Sequence, residues 1–359
     1  MSLEPAGVTA AEWECARCGG RCEPTEDYSL EVAGEEVVFQ AARCTACGNE
    51  SMNAPRIFRS DRDLYGIAPP DDGPLGTYRA VMALASRDGE FHRHPGDKVA
   101  GTLLWYLLEE DLADAVFLAH QSVGAEPVVA FTKRDLLDAG QIRMGAGRAI
   151  VTGGGLRANL LTLDQMRAFA EADRGLHPRI AVMGRPCQIY TVRKLLWDRF
   201  LPGYELAFSL GTFCYGNFAP ARSGGRRLRA LLGFDPSEIR HVRFLGEQLE
   251  FGSSGGERRA VGLGDVSGLV NANCLQCYDF SVMFSDVSVG HVGGDELFEA
   301  ALVRTELGET MVAQAIGAGL LAPSAQLYGT SAVRDDERRA LSFLSAMVDI
   351  KRELTRSVR

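Results

Sequence analysis

The chain has 359 residues, 46% of them hydrophobic and 24% charged. That is an ordinary globular composition with ample core for one large domain or two. A formal net charge of −9 opposes non-specific binding to nucleic acid or to anionic membranes. No uninterrupted apolar run reaches the ~18 residues a membrane span needs. The opening MSLEPAGVTAAEWEC lacks the basic and apolar regions of a signal peptide, so a cytoplasmic protein with no membrane partner is expected.

Nine cysteines in such a compartment read as metal ligands or redox groups rather than disulfides. They fall into two groups: Cys15, Cys18, Cys22, Cys44 and Cys47, then Cys187, Cys214, Cys274 and Cys277. In the first group, Cys15-x-x-Cys18-Gly and Cys44-x-x-Cys47-Gly flank a segment, residues 28–40, that reads as a hairpin turning at Ala33-Gly34. Two such knuckles around a hairpin are the layout of a zinc ribbon. A degenerate ferredoxin-like unit is the rival reading, because Ala54-Pro55 and Cys22-Glu-Pro24 lie near where that template places its Cys-Pro. The expected ligands are Cys15, Cys18, Cys44 and Cys47, with Cys22 as a further candidate, for zinc or a second iron–sulfur cluster.

The predicted organisation is a Cys-rich unit over 1–60, a Pro/Gly/Asp-rich linker over 61–76, an α/β body over 77–325 and a C-terminal amphipathic helix over 326–359. Within the body, apolar spacing predicts a helix over 97–111 and strands over 115–119 and 128–131, followed by a helix from 132. A glycine-rich stretch at 144–155 precedes a predicted helix over 162–173. Strands over 180–183 and 206–210 each end at a cysteine, Cys187 and Cys214. A basic helix and a hairpin-like segment follow over 226–252, then β-like runs at 286–290 and 301–305 and a helix over 308–317. The tail carries Leu341, Phe343, Leu344, Met347, Val348 and Ile350 on one helical face, suited to the body or to a second copy of the chain.

Cys274-x-x-Cys277 supplies two thiolates, which cannot close a tetrahedral site alone. Strand ends on one edge of a parallel sheet converge, so Cys187 and Cys214 are candidate partners; buried core thiols are the alternative. The words around these cysteines add to the pattern. They are Gly184-Arg-Pro-Cys-Gln-Ile with Arg193-Lys-Leu, Gly211-Thr-Phe-Cys, Cys274-x-x-Cys-x-Asp279, Ser285-Asp-Val-Ser-Val-Gly and Val303-Arg-Thr with Gly308-Glu. In this order, over roughly residues 95 to 320, they resemble the coenzyme F420 hydrogenase/dehydrogenase beta-subunit family.

The resemblance implies an α/β iron–sulfur flavoprotein, an oxidoreductase with a 4Fe-4S cluster held by Cys187, Cys214, Cys274 and Cys277. It implies FAD near Arg148, Thr152, Arg185, Pro186 and Gln188; Arg185 could face a reduced flavin, and a surface or ion-paired arginine is the alternative reading. Its expected partners are ferredoxin, a deazaflavin coenzyme or a redox partner protein, and an organic substrate. Asp97-Lys98 stands where family members carry Gly-Gly, and Ala146-Gly-Arg-Ala149 stands where they carry a Gly-Ser-Lys-Tyr-like loop. Both departures fall in the flavin cradle, where side chains can block close backbone approach. Two other readings stay open: an electron-transfer subunit that docks to a catalytic partner, and a zinc-stabilised interaction protein on a redox fold without its flavin.

Overall fold

A computed structural model describes residues 22–24, 28–32, 35–39, 41–45, 50–52, 75–92, 98–118, 128–141, 179–186, 188–189, 192–193, 205–216, 224–245, 248–267, 279–291, 298–324 and 330–356. In the N-terminal unit β1 (Cys22–Pro24), β4 (Ala41–Cys44) and β5 (Glu50–Met52) form a three-stranded antiparallel sheet. Between them, β2 (Tyr28–Val32) and β3 (Glu35–Phe39) pair as the expected hairpin, with Val32 opposite Glu35.

The body is built on an eight-stranded mixed sheet. Its strands are β6 (Ala80–Ser86), β7 (Ala115–Leu118), β8 (Val128–Ala130), β9 (Arg179–Gly184), β10 (Glu205–Thr212), β14 (Val287–His291), β15 (Glu299–Val303) and β16 (Leu321–Pro323). The spatial order is β16-β6-β15-β14-β10-β9-β7-β8. The four central strands β7, β9, β10 and β14 run parallel, and β15, β6, β16 and β8 extend the sheet by antiparallel pairing. The carboxyl ends of β9 and β10 lie side by side, Gly184 opposite Gly211. A second sheet of β11 (Ile239–Leu245), β12 (Gln248–Ser253) and β13 (Arg258–Gly262) is a meander. Sequence reading finds its first two strands and misses the third.

Helices cover both faces. On one, α1 (Lys98–Glu109), α2 (Lys133–Gln141) and α5 (Glu306–Gly317) meet the alternate strand residues Val116, Ala181, Phe208, Val287, Val289 and Ala301. On the other, α3 (Gly224–Leu232), α4 (Leu263–Ser267), the meander and α6 (Thr330–Arg356) meet Val81, Ala300 and Leu302. Covered on both faces, the sheet's strands read as continuous apolar runs rather than alternating ones. β7 (AVFL) is buried at every position.

The apolar stripe of α6 packs on this chain's own core: Ala340, Leu344, Met347 and Val348 are buried in it, and the helix lies against β6. Leu75, in the stretch read as linker, is also buried there at 4% exposure. No helix among the described residues is long and apolar enough to cross a membrane. Leu344 is fully buried, so Leu344→Ala should cost about 2–5 kcal/mol. Urea unfolding of the full chain would read this as a lowered midpoint at unchanged slope; a change within about 0.5 kcal/mol would mean that α6 is no part of the core.

Candidate metal centre

Of the cysteines assigned to the body, Cys214 is described. Cys187, Cys274 and Cys277 lie outside the described residues, as do Arg148, Thr152, Asp97, Ala146 and Ala149. The same holds for Cys15, Cys18 and Cys47, whereas the backbones of Cys22 and Cys44 face each other in the register of β1 and β4. Residues flanking Cys187 and Cys214, and those from Asp279 onward, are described.

Cys214 follows β10 by two residues and is 7% exposed, forming no disulfide. Its N–H donates to the Phe280 carbonyl at 2.9 Å. The Phe213 and Phe280 rings stack with centroids 5.6 Å apart. The loop that leaves Cys277 is thereby fastened beside the loop that carries Cys214. The Lys351 ammonium, on α6, donates to the Cys214 carbonyl at 2.7 Å and to the Asp279 carbonyl at 2.6 Å. Next to it, burial pushes the Tyr215 phenol up to about 12, against the pull of Lys351, which keeps it neutral.

The turn after Asp279 is held from several sides. Its carboxylate accepts the N–H groups of Val282 and Met283 at 2.8 and 2.9 Å. Burial pushes that carboxyl above the usual range, while the Met283 N–H, Arg304 and Lys351 pull it down. Val282 has φ of +59°, a left-handed conformation that a β-branched residue adopts only at a cost of about 1–3 kcal/mol. The turn packs so closely on β10 that a Cβ at Gly211 would lie 2.5 Å from the Val282 Cβ. This is the physical content of glycine in Gly211-Thr-Phe-Cys214.

Arg304 closes the turn from below. Its guanidinium donates to Ser288 Oγ, to the carbonyls of Leu75, Thr77 and Ser281, and to Ser281 Oγ, at 2.9 to 3.0 Å. Burial lowers its pKa to about 10, with Asp279 pulling it back up, so it stays cationic at neutral pH.

Asp286 is the second anchor. It accepts from Ser209 N, Ser209 Oγ and Arg193 Nη2 on one oxygen at 2.8, 2.6 and 3.0 Å, and from Thr305 Oγ1 on the other at 2.8 Å. Thr305 in turn caps α5 by accepting from the Gly308 N–H at 3.0 Å. A Cβ at Gly308 would lie 2.3 Å from the Asp286 carbonyl, so only glycine fits there. Arg193 belongs to the segment that follows Cys187, whose described residues are helical. The Arg185 N–H donates to Gln188 Oε1 at 2.9 Å, and the Gln188 and Ile189 N–H groups return to the Arg185 carbonyl. Arg185, Pro186 and Gln188 are all buried. The described flanks of Cys187 and Cys277 and the segment carrying Cys214 thus share one buried framework, and four thiolates are a donor set that suits an iron–sulfur centre.

The amino end of α1, next to Asp97, is described from Lys98 onward. Glu299 is buried at 1% exposure, and its two carboxylate oxygens accept the N–H groups of Lys98 and Val99 at 2.7 and 3.1 Å. Those amides open α1. A carboxylate already occupies that helix end, so these two amides are not offered to a cofactor phosphate. Burial pushes the Glu299 carboxyl up to about 7, outweighing the N–H groups that favour its charge. Sequence reading passes over Asp286, Glu299 and Lys351 as working residues. The signal for Lys351 is its place on the stripe of Leu344, Met347 and Val348, at positions i+7, i+4 and i+3.

Asp286→Ala should destabilise the chain by about 3–5 kcal/mol, because it strands Arg193 and the Ser209 N–H; denaturant titration measures it. Between about pH 4.5 and 7 the folded state holds the Glu299 proton better than the unfolded state does. Stability is therefore expected to fall as pH rises through that window, with Lys98 and the His291 imidazole (3.5 Å away) facing it. Urea midpoints from about pH 5 to 8 should slope less in Glu299→Gln than in the wild type; parallel slopes would exclude Glu299 as their source.

Residues 177–325 match the family model for the C terminus of the coenzyme F420 hydrogenase/dehydrogenase beta subunit. The chain is 25% identical to coenzyme F420 hydrogenase subunit beta of Methanococcus voltae over 264 residues, covering 69% of this chain and 85% of that one. It is 26% identical to the protein of the same name from Methanothermobacter thermautotrophicus over 255 residues, covering 68% and 84%. A chain in a solved structure of the F420-reducing [NiFe] hydrogenase complex from Methanosarcina barkeri shares the fold. It superposes with a TM-score of 0.63 at 24% identity, over 80% of this chain and 93% of that one. Residues 177–325 thus match the C-terminal region of the coenzyme F420 hydrogenase/dehydrogenase beta subunit, and over about two thirds of its length the chain is similar to proteins of that name.

Proposed function

We propose that the chain is an iron–sulfur redox protein whose 4Fe-4S cluster is held by Cys187, Cys214, Cys274 and Cys277. In this reading it passes electrons between a deazaflavin or ferredoxin and an organic acceptor. The observation that carries the reading is the joining of the Cys214 loop to the loop leaving Cys277 through Cys214 N–H to Phe280 O and through Lys351. A buried core thiol would need no such framework. Such a cluster exchanges one electron at a time, whereas a flavin also exchanges a hydride.

The chain's own residues bring the ligand loops together, keep water from Cys214 and hold the strained turn at Val282. The amino end of α1 is filled by Glu299, so a flavin would depend on Arg148, Thr152 and the segment after β9, Arg185, Pro186 and Gln188. A second metal, zinc or another cluster, is assigned to Cys15, Cys18, Cys44 and Cys47. Cys22, opposite Cys44 in strand register, is the further thiol.

A second reading makes the chain an electron-transfer subunit without a substrate of its own. It is favoured by its relatives, which are named as subunits of F420 hydrogenases. Isolation of a stable hetero-complex, with no turnover by the separate chain, selects it.

An anaerobic preparation of the full chain tests the main reading by its iron, sulfide, zinc and flavin content. Iron and sulfide near four each per chain with zinc at the N-terminal cysteines, or near eight each with a second cluster there, and broad absorption near ~400 nm are expected. Cys274→Ala/Cys277→Ala should remove about four irons and leave the N-terminal metal. Zinc with no iron would sink the proposal, and loss of both metals together would sink the division into two sites. Flavin in the same sample selects a hydride-carrying partner such as a deazaflavin, and its absence selects a one-electron partner such as ferredoxin.

A further inference from the structure

Lys351 is one of four lysines among the 38 basic residues of the chain, and it is 1% exposed. It occupies the stripe of α6 that carries Leu344, Met347 and Val348, all fully or almost fully buried. An apolar residue would satisfy the packing there, and burying an ammonium costs several kcal/mol unless its surroundings compensate. The compensation includes two backbone carbonyls, those of Cys214 at 2.7 Å and Asp279 at 2.6 Å. These carbonyls belong to different loops, 65 positions apart in sequence (279 less 214). One belongs to a cysteine of the candidate centre, the other to the residue two beyond Cys277. An ion pair with a surface carboxylate would do nothing for that geometry; a hydrogen-bonded cation between the two carbonyls fixes it.

The same arrangement carries an electrostatic consequence. A single bond separates the Cys214 carbonyl carbon from its Cα, and the sulfur lies two further bonds away. The ammonium is therefore within the range where Coulomb attraction in a buried setting is strong. A centre built of four thiolates is anionic and becomes more so on gaining an electron. A fixed cation beside it favours the reduced form.

We propose that Lys351 is a positioning residue for the metal centre: it fastens the Cys214 loop to the loop leaving Cys277 and holds the centre's reduction potential up. The inference rests on the iron–sulfur reading above. It makes the C-terminal helix part of the redox site rather than only a cover for the sheet.

The test uses the full chain, purified anaerobically as wild type, Lys351→Met and Lys351→Arg, with iron content, thermal unfolding and a dye-mediated reductive titration followed by electron paramagnetic resonance. Methionine fills the stripe without a charge. Its one-electron reduction should become at least about tenfold less favourable, about 59 mV lower in midpoint, while Lys351→Arg stays within about twofold of wild type. A Lys351→Met midpoint within about twofold of wild type overturns the inference and leaves the metal reading intact. If Lys351→Met loses its iron, Leu344→Ala is the control, because it loosens the same helix while leaving the Lys351 ammonium in place. Iron retained in that control supports the inference, and equal loss from both overturns it. A wild-type chain without iron overturns the metal reading itself, and the inference falls with it.

Discussion

The fold depends on one buried carboxylate. Asp286 stands where β14 begins and is bonded at once to the backbone and hydroxyl of Ser209 on β10, to Arg193 beyond β9 and to Thr305 at the head of α5. A carboxylate buried at 5% exposure is tolerable only when its oxygens are matched by donors, and four bonds from three elements do that. Removing any one partner leaves the others with an uncompensated group, which makes the cluster all-or-none. The consequence reaches the site, because β9, β10 and β14 are the strands from which the cysteine-bearing loops leave or into which they lead.

Arg304 and Lys351 extend the same logic toward the carboxyl edge of the sheet. Arg304 spends its guanidinium on the turn at Ser281 and on the chain entering β6, and Lys351 spends its ammonium on the two loop carbonyls. Between them they hold Val282 in a backbone conformation it would otherwise leave. Two buried cations beside a cysteine loop also set a positive local field, which suits thiolates and an anionic centre. Structure and electrostatics here come from the same side chains.

Much of this was legible in the sequence, and what was not has physical reasons. The strands that precede Cys187 and Cys214 in sequence could be read because short apolar runs bounded by glycine suit a sheet buried on both faces. The family words could be read as words, but their content could not. Gly211 and Gly308 mark close approaches of a distant backbone or side chain, and Asp286, Arg304 and Thr305 are partners across long sequence separations. β6 escaped notice because Ala80–Ser86 follows a Pro/Gly/Asp-rich stretch and lacks alternation, although it lies inside the sheet. β13 escaped because Arg258 and Arg259 are exposed and mask its pattern. Glu299 and Lys351 are charged residues at positions where only the tertiary partner, an open helix end or a pair of carbonyls, explains the charge.

The central claim is that the buried thiol of Cys214 is a ligand and not a core side chain. Anaerobically grown crystals of the full chain, measured on both sides of the iron absorption edge, test it most directly. The account predicts anomalous density for iron bonded to Cys214 Sγ, with Cys187, Cys274 and Cys277 completing the set. A Cys214 thiol packed against carbon, with no iron signal within bonding distance, would contradict it.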